Sequence, residues 1–176
     1  MKNIVLIGFR GTGKSTLSQE LALRLGRMRI STDDLAMERC GMSITDFVRE
    51  QGWSEFRRIE TDCIASLQGK EDLIIDSGGG VVENPDNMRL LGEHGAIVWI
   101  HASLEDVVTR LMGNTSDPQR PLLSEGDIRS DITKNYTHRE PLYKRYADFS
   151  VNTSTHTIQE CSAAIEQWLV ASQTAE

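Results

Sequence analysis

The chain has no long apolar run, no basic tract, no paired-cysteine motif and no internal repeat. Each absence removes a class of function. No apolar stretch reaches membrane-spanning length, so no membrane partner is expected. The net charge is −7, from 19 Lys and Arg against 26 Asp and Glu, and such a balance predicts no nucleic-acid partner. Cys40, Cys63 and Cys161 are widely spaced and form no CxxC pair. An odd, scattered set reads as reduced thiols in the cytoplasm, each serving as a small buried apolar residue. No Cys or His spacing fits zinc. The first strand begins within three residues of Met1, which leaves no room for a signal peptide. The 176 residues, 39% hydrophobic and 26% charged, predict one domain with a sizeable core.

What is present starts with Gly8-Phe9-Arg10-Gly11-Thr12-Gly13-Lys14-Ser15. It follows the apolar run Ile4 to Ile7 and leads into a helical pattern, the order a phosphate-binding loop requires. Gly8, Gly11 and Gly13 free the backbone to turn successive N–H groups toward one anion. The helix beginning near Lys14 adds its positive dipole end. Lys14 supplies a mobile charge for the outer phosphates, and the Ser15 hydroxyl is a hard oxygen ligand suited to Mg²⁺. A nucleoside triphosphate is therefore the expected ligand. A chain of net charge −7 must concentrate cations locally, so its arginines are read by position.

Hydrophobic periodicity predicts a helix from about Lys14 to Leu25 stopped by Gly26, and a strand at Met28 to Ser31. An interrupted helical stretch follows to Leu67, broken at Gly41 and Gly52, with a Ser43/Asp46 cap. Phe47 and Val48 face inward, and Arg57 and Arg58 share a helix with Glu60. Asp33 reads by itself as a helix N-cap, a role open to Asp34 as well. Leu73 to Ile75 and Ala96 to Ile100 read as buried strands. Helices are expected at about Pro85 to His94, from the Ser103/Asp106 cap to Met112, and from Glu125 to Tyr146. A strand at Phe149 to Asn152 precedes a last helix opened by a Thr157/Glu160 capping box, with fraying after Val170. Gly113 to Ser124 is polar, holds two prolines and reads as a functional loop. Alternating strands and helices predict an α/β fold, with a parallel sheet covered on both faces and ligands beyond the strand carboxyl ends.

Six segments now combine: GTGKST at 11–16, TDDLAMER at 32–39, EFRRIE at 55–60, DSGGGVV at 76–82, RPLL at 120–123 and REPLY at 139–143. In this order and spacing, across nearly the whole chain, they resemble the shikimate kinases. The resemblance implies a P-loop kinase three-layer fold: a five-stranded parallel sheet, a helical substrate-binding insert at about 33–61 and a mobile lid at about 113–124, all within one kinase domain, 1–176. It implies transfer of the ATP γ-phosphate to the 3-hydroxyl of shikimate, with Mg²⁺ held at Ser15. Gly11, Thr12, Gly13, Lys14, Ser15 and Thr16 would bind ATP. Arg110 would lie against the adenine, and Arg120 would reach from the lid to the phosphates. Asp33 would hold substrate hydroxyls, Arg57 and Arg139 would grip the carboxylate, and Gly79 would offer its backbone N–H. Lys14, Asp33 and Arg120 form the implied catalytic set, in a cytoplasmic monomer. One position departs from the family: its usual Asp-x-Asp begins here with Ser31, and the missing carboxylate bears on metal affinity.

Phosphoryl transfer asks for positioning and charge neutralisation, which this set supplies. A planar carboxylate suits arginine forks. Each residue also has a plainer reading: Arg58 as a solvated helix face, Arg139 as a surface pair with Glu140, and the triple glycine as a tight turn. Rival functions are a kinase of the same fold acting on quinate or gluconate, a GTPase switch and an inactive binding module. Asp76 to Gly79 fits the DxxG of GTPases, but no Asn-Lys-x-Asp guanine motif is present.

Overall fold

The computed structural model describes residues 2–113 and 127–173. Strand β1 (Asn3–Ile7) leads through the glycine loop into helix α1 (Lys14–Leu25), then β2 (Met28–Ser31), α2 (Thr32–Cys40) and α3 (Ile44–Ala65). Strand β3 (Leu73–Asp76), a 3-10 turn at Val81–Glu83, α4 (Pro85–Glu93) and β4 (Gly95–His101) follow. Then come α5 (Leu104–Gly113), α6 (Ile128–Tyr146), β5 (Phe149–Asn152) and α7 (Ile158–Gln173).

The five strands form one parallel sheet in the order β2-β3-β1-β4-β5. Successive side chains of a strand point to opposite faces, so the continuous apolar run of β1 needs a cover on each side. Ile4 and Leu6 pack with Leu17 and Leu21 of α1 and with Cys161 and Ile165 of α7. Val5 and Ile7 pack with Ile64, Met88, Leu91, Val107, Val108, Ile132 and Tyr143 from α3 to α6. Those two cores make the three layers. A third, smaller core of Ala36, Ile44, Phe47, Phe56 and Cys63 holds α2 to α3. Among the described residues no helix is long and apolar enough to cross a membrane.

The chain runs from β1 outward to β2, returns to β3 and then crosses to β4. Neighbouring strands β1 and β3 thus send their connections to opposite sides, which opens a crevice at their carboxyl ends. The glycine loop after β1 and the Gly78-Gly79-Gly80 run after β3 both lie there.

Several local expectations are corrected. Neither Asp33 nor Asp34 caps α2: the Ser31 hydroxyl does, accepting the Asp34 N–H at 3.1 Å. The break expected at Gly52 is present: with φ 84 and ψ 166 it divides α3 into two helical halves, which Phe47 before it and Phe56 after it hold in the small core. The last helix continues beyond Val170 to Gln173. Cys63 and Cys161 are buried, but Cys40 is only partly so. The loop expected at 113–124 lies outside the described residues except for Gly113, and so does Arg120.

Candidate active site

The loop after β1 carries its geometry in the backbone. Gly8, Gly11 and Gly13 have φ of 147, 78 and 88, a region where a Cβ is strained. Gly13 is the N-cap of α1 and leaves the helix without a side-chain cap or a first-turn acid. That end of α1 is left to an anion. Lys14 is buried, and its Nζ donates to the carbonyls of Gly8 at 2.8 Å and Phe9 at 3.2 Å. The Thr12 hydroxyl donates to the Phe9 carbonyl at 2.7 Å, closing the loop. Ser15 and Thr16 stand exposed at the start of α1.

The nucleotide cleft is walled by this loop, by Arg29 and Ser31 of β2 and Asp33 after it, by Asp76 at the end of β3 and Ser77 after it, and by Arg110. Arg110 lies across two segments. Its Nη1 donates to the Gly11 carbonyl at 3.2 Å and to Thr153 Oγ1 at 3.1 Å, and its Nη2 donates to the Thr153 carbonyl at 2.9 Å. It thereby ties α5 to the glycine loop and to the turn after β5. Asp76 is buried and takes Arg29 Nη2 at 2.7 Å and the Ser18 hydroxyl at 3.3 Å. This Arg29–Asp76 pair carried no sequence signal.

Beside the cleft lies a small cavity of about 50 Å³. Its walls include Arg10, Asp33, Trp53, Phe56, Arg57, Glu60, Gly78 to Gly80 and Arg139. Asp33, Arg57, Gly79 and Arg139, separated by up to a hundred residues in sequence, are therefore brought together around one space. Arg57 lies over the Trp53 ring, with its guanidinium carbon 5.3 Å from the centroid, and donates to Glu60 Oε2 at 2.8 Å. Arg139 is buried against the Phe9 ring and donates through Nε and Nη2 to the two oxygens of Glu83, both at 3.1 Å. Arg57 Nη2 also reaches Glu83, at 3.4 Å. The expected surface pair of Arg139 with Glu140 does not form; Glu140 pairs with Lys144 at 3.1 Å. Arg58 points outward to Glu55 and Asp62.

Two of the three glycines leave no room for a side chain. A Cβ on Gly78 would stand 2.6 Å from Asp33 Oδ1 and 2.8 Å from Glu60 Oε1. One on Gly80 would overlap the Arg57 guanidinium. The Gly79 carbonyl accepts the Tyr143 hydroxyl, which fixes the run against α6. Glu60, Glu83 and Tyr143 were not among the residues picked from sequence. The spacing of Glu60, three residues after Arg57 on one helix, was a usable signal; Glu83 and Tyr143 had none.

Burial pushes the Glu60 carboxyl above its usual range, while Arg57 and then Arg139 pull it down and Glu83 raises it. Its Oε1 has no hydrogen-bond partner among the described residues. Arg10 is lowered by burial and by Arg139, with Asp131 opposing.

A divalent cation at this loop would find few protein ligands. Among the described residues no group of three His, Cys, Asp or Glu is placed to hold a metal. Ser31 is engaged as a cap and Asp76 with Arg29, while the Ser15 hydroxyl stands exposed at the start of α1. This set fits Mg²⁺, which keeps most of its water and binds phosphates with one or two protein oxygens.

The family profile described as Shikimate kinase matches residues 10–170. The chain belongs to the shikimate kinase family. It is 40% identical over 157 residues to a shikimate kinase of Caldicellulosiruptor bescii, covering 89% of each chain. It is 38% identical over 169 residues to that of Pelotomaculum thermopropionicum, covering 96% of each. A shikimate kinase from Acinetobacter baumannii, solved in complex with shikimate, superposes with a TM-score of 0.89 at 26% identity, over 98% of this chain and 94% of the other. The family is one of phosphotransferases, and the five-stranded parallel α/β fold expected from the resemblance is the fold observed.

Proposed function

We propose that the chain transfers the γ-phosphoryl group of ATP to the 3-hydroxyl of shikimate, giving shikimate 3-phosphate and ADP. The observation that carries this reading is the pair Arg57 and Arg139 converging on one carboxylate, that of Glu83, in a cavity that opens beside the phosphate loop at Asp33. A substrate with a ring carboxylate at one end and a hydroxyl at the other spans those two positions.

In this reading Gly11, Thr12, Gly13, Lys14, Ser15 and Thr16 cradle the ATP phosphates, with Arg110 on the adenine side. Arg57 and Arg139 anchor the carboxylate, the Gly79 N–H assists, and the arginine forks set the ring's direction. Asp33 orients the hydroxyl and takes its proton late, because a loose transition state needs no strong base. Lys14 balances the charge of the outer phosphates. Arg120, outside the described residues, is proposed on the family motif to add a second cation from the lid at about 113–124. Bound Mg²⁺ would be held by Ser15 and would neutralise phosphate charge. The insert at about 33–61 and the remainder of 1–176 act as one kinase domain. The chain is proposed to act as a monomer. Three free cysteines support a reducing, cytoplasmic setting.

The test compares ADP release with shikimate and with the analogue whose carboxylate is reduced to an alcohol. The reading expects kcat/KM to fall at least about 100-fold for the alcohol, because two charged forks lose their partner. Equal values would refute it.

A further inference from the structure

Three residues of the carboxylate cavity, Arg10, Asp33 and Ile44, also line the nucleotide cleft. Any phosphoryl group passing from the loop to a hydroxyl held at Asp33 must cross this junction. Arg57 and Arg139 line the carboxylate cavity and not the cleft. Among the described residues Arg10 is thus the cation that lines both spaces, facing the path of transfer from the glycine loop itself.

The surroundings of Arg10 leave it short of negative charge. Its side chain is 16% exposed, and the ion pair it makes, Nη2 to Asp131 Oδ2, is long at 3.4 Å. The second Asp131 oxygen accepts the Asn135 amide at 3.0 Å. Arg10 Nε is buried and has no hydrogen-bond partner among the described residues. Arg139 adds a like charge nearby, both guanidinium groups lying about 6 Å from the Phe9 ring centre. A partly buried cation so placed favours an incoming anion. Its backbone lies close to the second glycine run: a Cβ on Gly79 would stand 3.5 Å from the Arg10 backbone nitrogen, in ordinary contact.

We propose that Arg10 contacts the phosphoryl group in transit and holds it on the acceptor once transferred; the proposal rests on the phosphotransfer reading above. In the step, the acceptor oxygen bonds to the γ-phosphorus as the bond from that phosphorus to the β–γ bridging oxygen breaks. The bridging oxygen leaves on ADP with the electron pair, and the hydroxyl proton passes to Asp33 and then to water. Arg10 donates to the equatorial oxygens of the moving group, whose charge its guanidinium balances from the acceptor side. Arg57 and Arg139 keep the carboxylate, so the two anions of the product are read by different arginines.

The test uses Arg10→Met and Arg10→Lys in the full chain, with thermal melting to confirm folding. Steady-state ADP release gives kcat and both KM values, and calorimetry gives the affinities for shikimate and for shikimate 3-phosphate. Arg10→Met should lower kcat about 100-fold with the shikimate KM within about threefold. It should weaken shikimate 3-phosphate at least about tenfold and leave shikimate unchanged, and Arg10→Lys should fall between the two. Should Arg10→Met not fold, the same split between phosphate ester and shikimate is read in Arg10→Lys. A rise in shikimate KM with kcat intact makes Arg10 a carboxylate ligand and overturns the proposal, as does no change in any value. Wild-type protein that is idle with shikimate refutes the substrate assignment alone. Arg10 is then judged on ATP hydrolysis with water as acceptor, which Arg10→Met should slow and which an unchanged rate would decide against.

Discussion

Arg139 grips Glu83 as a fork, Nε on one carboxylate oxygen and Nη2 on the other, both at 3.1 Å. The chain's own carboxylate thus takes the fork that we propose for the carboxylate of the substrate. The fork is braced from below by Phe9 and shared with Arg57, so both guanidinium groups are oriented before a substrate arrives. Preorganisation of this kind lowers the ordering cost of binding.

Replacing either arginine by lysine keeps the charge and removes the fork. Arg57→Lys and Arg139→Lys should each weaken shikimate by about 1.5–3 kcal/mol per charged hydrogen bond lost, and leave ATP nearly untouched. Separate titrations of the two ligands check this. Equal losses for both would show that these arginines do not read the carboxylate.

Gly80→Ala probes the same grip from the backbone. Gly80 has φ −93, which alanine adopts without strain, but the added methyl takes the space of the Arg57 guanidinium. That group ends a flexible side chain, so the fold should survive and Arg57 should be displaced. The shikimate KM is expected to rise about tenfold with the ATP KM unchanged. A normal KM would mean that the position of Arg57 is immaterial.

Glu60 gives a pH signature. Burial raises its carboxyl above the ordinary value, so the folded chain holds this proton more tightly than the unfolded chain does. The resulting stability is fully present below the unfolded value, about 4.3, and is lost as pH rises through the raised folded value. Glu60→Gln removes the titration. The melting temperature of wild type minus variant should therefore fall as pH is raised from the acid range toward neutrality. A difference that grows with pH would show that the Arg57 bond outweighs burial.

Lys14→Ala should lower turnover at least about 100-fold, the scale seen when one preorganised cation or donor is removed from a charged transition state. It also removes two hydrogen bonds that brace the loop, to Gly8 and Phe9, so some stability is lost with the fold kept. Circular dichroism and ADP release read the two effects. Near-normal turnover in a folded variant would remove the loop from the mechanism.

Much of this was legible wherever the information is local. The loop, the bounds of α1 and β2, and the Thr157/Glu160 and Ser43/Asp46 caps all depend on residues a few positions apart. The Ser31 cap was misread because Asp33 and Asp34 beside it are equally good caps by type. The break at Gly52 was legible too, because a glycine inside a helical pattern marks a local change of backbone. Glu83 and Tyr143 could not be found, since their partners lie 56 and 64 residues away along the chain. Arg57 and Arg139 stood out only through the family motifs; by spacing alone they were surface charges.

The most direct measurement is phosphorus NMR of the full chain with ATP, Mg²⁺ and shikimate, beside parallel reactions with quinate and gluconate. The account predicts one new phosphate monoester coupled to the ring proton at carbon 3, appearing in step with ADP, in the shikimate reaction. Free phosphate in place of the ester, an ester at another hydroxyl, or faster phosphorylation of quinate or gluconate would contradict it.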